Sequence, residues 1–128
     1  MIVYPNTGYD SFISLDDAET YFSTRLHSDE FVSASDANQG AALITAFRSI
    51  NELDLTIDPT ESDQIQALKD AQCEQALYEL KEDLDSQNLT SFDLLGIKTS
   101  KKELPRYSQR ALAILSPYIS MPVCQVVR

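Results

Sequence analysis

The sequence predicts a mainly α-helical domain, a small four-helix fold with an extended N-terminal arm, a projecting loop or hairpin before the last helix, and an apolar C-terminal tail. Three observations predict it. Apolar residues recur at three- and four-residue spacing in four separate segments. The starts of these segments carry serines placed to cap a helix, with acids following in the first turn of two. The length of 128 residues and the hydrophobic fraction of 43% suit one compact domain and exclude wholesale disorder or a fibrous repeat.

Residues 1–13 hold Pro5, Gly8 and scattered aromatics, and read as an irregular or extended arm. Ser14 then caps a helix over residues 15–27, with Leu15, Ala18, Tyr21, Phe22 and Leu26 facing inward. A second helix starts after Ser35 and buries Ala41, Ile44, Phe47 and Ile50, with Leu43 beside them. Between Asn51 and Pro59 the alternation of Leu53, Leu55 and Ile57 with polar residues predicts an extended connector or short edge strand. The third helix runs over residues 61–85 with Ile65, Leu68, Cys73, Ala76, Leu77, Leu80 and Leu84 in one broad stripe. Ala67, Ala71 and Tyr78 form a smaller group on nearly the opposite side, which either a subunit neighbour covers or simple helix propensity explains.

Residues 86–106 carry Phe92, Leu94, Leu95, Gly96 and Ile97 and then a basic run, and predict the loop or hairpin. Ser108 caps the fourth helix, with Ala111, Leu112, Ile114, Leu115 and Tyr118, and Pro117 ends it near Tyr118. The tail that follows, with Met121, Pro122, Val123, Val126 and Val127, is apolar and β-branched where chain ends are normally polar. Either its own domain or a partner accepting an added strand covers it. The domain thus divides into an arm at 1–13, a helical core at 14–118 and a docking tail at 119–128.

Charge narrows the function classes. With 20 acids against 10 bases the formal net charge is −10, which disfavours generic phosphate binding. The distribution is two-ended: residues 1–97 hold 19 Asp/Glu and 4 Lys/Arg, and residues 98–128 hold 6 Lys/Arg and 1 Glu. Solvated surface accounts for this, as does a basic end meeting the acidic end of a neighbouring copy. Lys98, Lys101, Lys102, Arg106 and Arg110, with Tyr107 among them, form the one basic and aromatic cluster able to meet a nucleic-acid backbone.

Motifs for chemistry are missing. His27 is the only histidine and stands beside the end of the first helix, where a cation suits the helix dipole. Cys73 and Cys124 lie far apart in no CxxC spacing, so neither a disulfide framework nor a zinc site is indicated. Asp54, Thr56 and Asp58 alternate as in a calcium loop, but Pro59 stands where glycine is required. The acid pairs Asp16/Asp17 and Asp83/Asp85 are explained by helix ends or solvated faces. No glycine-rich phosphate loop, HExxH or GxSxG occurs, and no apolar run is long enough to span a bilayer. A non-enzymatic protein without cofactor or metal, made in the cytosol, is the expectation.

The run Ile13-Ser14-Leu15-Asp16-Asp17-Ala18-Glu19-Thr20-Tyr21-Phe22-Ser23-Thr24-Arg25-Leu26 resembles the opening of the head–tail connector (adaptor) proteins of tailed bacteriophages. Ala42-Leu43-Ile44 with Ala46, Arg48 and Ile50 is similar to that family's second helix, residues 65–77 to its third, and Leu104-Pro105-Arg106-Tyr107-Ser108 with Ala111, Leu115 and Tyr118 to its last. The chain departs from the pattern in lacking a Trp in the connector after the second helix and in having a shortened segment there. The resemblance implies a virion protein of the neck, assembled in the host cytoplasm. It implies a homo-oligomeric ring of about twelve copies docked on the portal protein, passing the genomic DNA through its lumen to a tail-side stopper, terminator or nozzle protein. Similar sequences are sometimes labelled as resembling a primosomal single-strand-binding protein, so a single-stranded-DNA-binding replication accessory is the alternative. A regulatory module with a peptide partner is the third reading.

Overall fold

The computed structural model describes residues 1–82 and 106–119. The fold is mainly helical. Five α-helices stand among the described residues: α1 (Leu15–Ser23), α2 (Asp29–Val32), α3 (Asp36–Asn51), α4 (Ser62–Glu82) and α5 (Gln109–Leu115), the last running into a 3-10 turn over Ser116–Tyr118. The capping serines act as the sequence predicts. The Ser14, Ser35 and Ser108 hydroxyls accept from the backbone N–H of Asp17, Asn38 and Ala111, which satisfies donors that a helix start otherwise leaves open.

Helix α4 is the centre of the molecule, and two apolar cores meet it on different faces. Ile13, Ala18, Phe22, Phe31, Leu43 and Ala46 pack on Cys73, Ala76 and Leu77. Phe12, Ile50, Ala111 and Leu115 pack on Leu68 and Ala71, with Leu53, Leu55, Ile57 and Ile119 at the margin. The connector keeps the predicted alternation: Leu53, Leu55 and Ile57 are half-buried and the residues between them exposed. Leu55 forms an isolated antiparallel bridge with Ile119, and the Thr56 N–H donates to the Tyr118 carbonyl at 2.7 Å. The shortened segment therefore still closes the second core.

Four expectations need correction. The first helix stops at Ser23 rather than running to residue 27, because the chain reverses through Thr24 and His27, which has φ of 62°. The Ser28 hydroxyl, within hydrogen-bond reach of the Phe22 and Arg25 carbonyls, secures the reversal. This brings Phe31 of α2 onto Phe22 with ring centroids 4.3 Å apart, and it leaves Leu26, expected inside, 79% exposed.

The arm is irregular but not extended. Val3 and Ser11 form a bridge, the Tyr4 N–H donates to the Ser11 carbonyl, and Tyr4, Tyr9 and Phe12 pack with Phe47 of α3. Aromatic burial folds the arm back on the domain.

Helix α3 is rotated from its predicted face. It buries Gln39, Ala42, Leu43, Ala46, Ser49 and Ile50, with Ala41 exposed and Ile44 and Phe47 half-buried. Two hydrogen-bonded polar residues belong to the inward side, and apolar periodicity does not register them.

The small group on α4 is not one outer face. Ala71 is fully buried against the second core, because the N-terminal arm, α3 and α5 all contribute to that core, whereas Ala67 and Tyr78 are half-buried. Ala71 is thus unavailable to a neighbouring copy. No described helix is long and apolar enough to cross a membrane.

Candidate functional site

Three buried polar residues of α4, Gln72, Glu74 and Gln75, reach in different directions and each holds a separate piece of the chain. The Gln72 amide accepts from the Phe12 N–H at 2.9 Å and donates to the Ser11 hydroxyl and the Leu43 carbonyl, both at 2.9 Å, so it joins arm and α3. Gln75 accepts from the Ser108 N–H at 2.8 Å and donates to the Arg106 carbonyl at 3.1 Å, which places the start of α5. Both amides use their two ends, so neither has capacity left for a ligand.

Glu74 holds α1. Its carboxylate accepts from Tyr21 Oη and from Arg25, whose Nε and Nη2 lie 2.9 and 2.8 Å from its two oxygens. Burial pushes the Glu74 carboxyl up, and the Arg25 and Tyr21 hydrogen bonds outweigh it and hold the group below its ordinary value. Tyr21 is shifted the other way, by burial first and then by Glu74. The Arg25 guanidinium, raised chiefly by its bond to Glu74, is the structural counter-ion of the cluster. Every polar atom here is engaged in holding α1 to α4.

Other candidates settle into local roles. Burial pushes the Cys73 thiol well above its usual range, and its side chain lies in the first core, conditions under which a thiol is inert. Asp58 accepts from the N–H and hydroxyl of Thr60 at 3.0 and 2.7 Å, so its carboxylate shapes the turn before α4. His27 is exposed in the α1–α2 turn. No cluster of three or more metal-ligating side chains exists among the described residues.

Of the sequence-predicted site residues, Lys98, Lys101 and Lys102, and the tail residues Met121, Pro122, Val123, Val126 and Val127, lie outside the described residues. Arg106 and Arg110 are described and exposed. Arg106 pairs with Glu52 at 3.1 Å, and the Tyr107 hydroxyl donates to the Ser49 carbonyl at 3.1 Å. Both side chains are directed to the end of α3 rather than to a shared ligand surface.

The feature that sequence reasoning missed is a pocket of about 280 Å³ lined by Glu19 and Ser23 of α1, Phe31 and Val32 of α2, and Gln39 of α3. The Gln39 amide nitrogen donates to the Phe31 carbonyl at 2.8 Å, while its Oε1 is buried without a hydrogen-bond partner among the described residues. A second, more polar pocket of about 320 Å³ lies beside Asp17, Tyr21, Lys69 and Asp70. Phe31, an aromatic between two short polar runs, was the signal available in the sequence for the first pocket.

The chain matches no family model, no curated protein and no solved structure.

Proposed function

We propose that this chain is a non-catalytic adaptor subunit, repeated in a ring beneath the portal of a tailed bacteriophage, joining head to tail and continuing the DNA channel. The observation that carries the reading is electrostatic. Residues 1–82 hold 16 Asp/Glu against 4 Lys/Arg, and only Glu52 and Glu74 form ion pairs among the described residues. An acidic helical body with a basic stretch at residues 98–110 has the polarity of a head-to-tail interface, which closes into a ring when the rotation permits. An acidic wall also repels DNA in transit and avoids trapping it.

In this reading the four longer helices form the adaptor body and the apolar tail at 119–128 docks on the portal or a neighbour by strand addition. Ala67 and Tyr78 remain at the subunit face. The resemblance of four segments in the right order supports the reading, and the buried polar clamps of α4 support it by giving each subunit a rigid frame.

The test is the native mass of the chain co-expressed with the portal protein of the same genome, followed by single-stranded DNA binding on the same sample. A complex of about twelve copies per portal, indifferent to DNA and lost on deletion of residues 121–128 with helix content intact, is the expected result. A free chain that binds single strands with salt-dependent affinity, abolished by Lys101→Gln and Lys102→Gln, overturns it in favour of a replication accessory.

A further inference from the structure

The pocket between α1, α2 and α3 has an excess of acceptors. Its Glu19 carboxylate makes no hydrogen bond or ion pair among the described residues. The Ser23 hydroxyl donates its proton to the Thr20 carbonyl at 2.6 Å and so presents only lone pairs to anything else. Gln39, 4% exposed, donates its amide nitrogen to Phe31 and leaves Oε1 unpartnered. The other two walls, Phe31 and Val32, are apolar, and Val32 is 59% exposed.

A buried carbonyl oxygen left without a donor costs on the order of 1–3 kcal/mol, so a donor entering from outside is favoured at this place. One carboxylate and two neutral oxygens are too few for a calcium ion, which takes about 6–8 oxygen ligands. A donor on an alkyl stem fits both halves of the pocket: the stem lies along Phe31 and Val32 and the charged head meets Glu19, Ser23 and Gln39. That description is a lysine or arginine side chain.

We infer that this pocket receives a basic side chain from the Lys98–Lys102 stretch of a second copy of the chain. The choice of occupant follows from charge: the pocket stands in the acidic portion of the sequence, and residues 98–102 hold three lysines in five positions. Glu19 gives the attraction its range and Gln39 its specificity, because only a hydrogen-bond donor relieves the buried Oε1. The occupant rests on the ring reading above, whereas the acceptor chemistry of the pocket stands without it.

The experiment is a titration of the isotope-labelled full-length chain with a synthetic peptide of residues 96–104, followed by NMR. Saturable shifts at the Gln39 side-chain amide and at the Phe31 and Val32 backbone amides are expected, with affinity falling about fivefold in Glu19→Gln. A peptide with Lys98, Lys101 and Lys102 replaced by glutamine is expected to leave these signals unmoved. Glu19 is exposed, so Glu19→Gln retains the fold and the comparison stays readable. Shifts confined to other residues, affinity unchanged by Glu19→Gln, or no shift at millimolar peptide each overturn the inference. Peptide binding at the pocket without a portal-bound ring sinks the connector reading alone, and a ring with no peptide binding sinks the pocket alone.

Discussion

The two cores that meet α4 bury similar side chains and are closed by different chemistry. The first, around Phe22, Phe31 and Leu77, is sealed at its margin by a charged cluster, Tyr21, Glu74 and Arg25. The second, around Phe12, Leu68 and Leu115, is sealed by two neutral amides, Gln72 and Gln75. Their chain composition differs too. Apart from α4 the first is built from residues 13–46, whereas the second gathers the arm, the connector and α5 from positions as far apart as Phe12 and Leu115. An ion pair makes one margin sensitive to pH, and amides make the other indifferent to it.

The largest expected effects come from truncating each core. Phe22→Ala and Leu115→Ala remove fully buried side chains and are each expected to cost about 3–5 kcal/mol and about 2–5 kcal/mol in denaturant unfolding. Hydrogen exchange separates them. Leu115→Ala should expose the Thr56 amide, which donates to Tyr118 across the second core, while the α1 amides keep their protection. Equal loss in both places would merge the cores into one cooperative unit and erase the distinction.

The margins give smaller and more diagnostic effects. Arg25→Met leaves the buried Glu74 carboxylate without its counter-charge and is expected to cost about 2–3 kcal/mol at neutral pH. Because the folded-state pKa of Glu74 lies below its unfolded value of about 4.3, its contribution is present above that value and is lost as pH falls through the folded one. The cost of Arg25→Met should therefore shrink in acid, and Glu74→Gln should flatten the acid limb of the stability curve. Gln72→Leu, which strands the Phe12 N–H, is expected to cost about 2–3 kcal/mol at either pH. A pH-dependent Gln72→Leu would break the comparison. The smallest effect belongs to the exposed Arg106–Glu52 pair, where Glu52→Gln should change stability by no more than about 0.5 kcal/mol in thermal unfolding.

What the sequence made legible follows the same division. Helix starts were readable because a serine cap is a local device, and Ser14, Ser35 and Ser108 all act within three residues of themselves. The connector was readable because Leu53, Leu55 and Ile57 alternate. The clamps on α4 were not, since Gln72, Glu74 and Gln75 read as a solvated stretch until their partners, about 30 to 60 positions away, are in place. The same blindness turned the predicted face of α3, where Gln39 and Ser49 lie inside, and hid the pocket, whose one unpartnered atom belongs to Gln39. The end of α1 was missed because a single left-handed residue, His27, reverses the chain without a glycine to announce it.

The position of α4 late in the first two-thirds of the chain also governs how the protein is made. Ala18, Phe22, Phe31 and Leu43 are complete as a sequence long before Cys73, Ala76 and Leu77 leave the ribosome, and without that wall they have nothing to pack on. The arm waits for Gln72 in the same way. Vectorial synthesis therefore delivers a nascent chain with exposed aromatics until α4 emerges, and the domain settles late, as a unit gathered around its penultimate helix rather than one built up from its beginning.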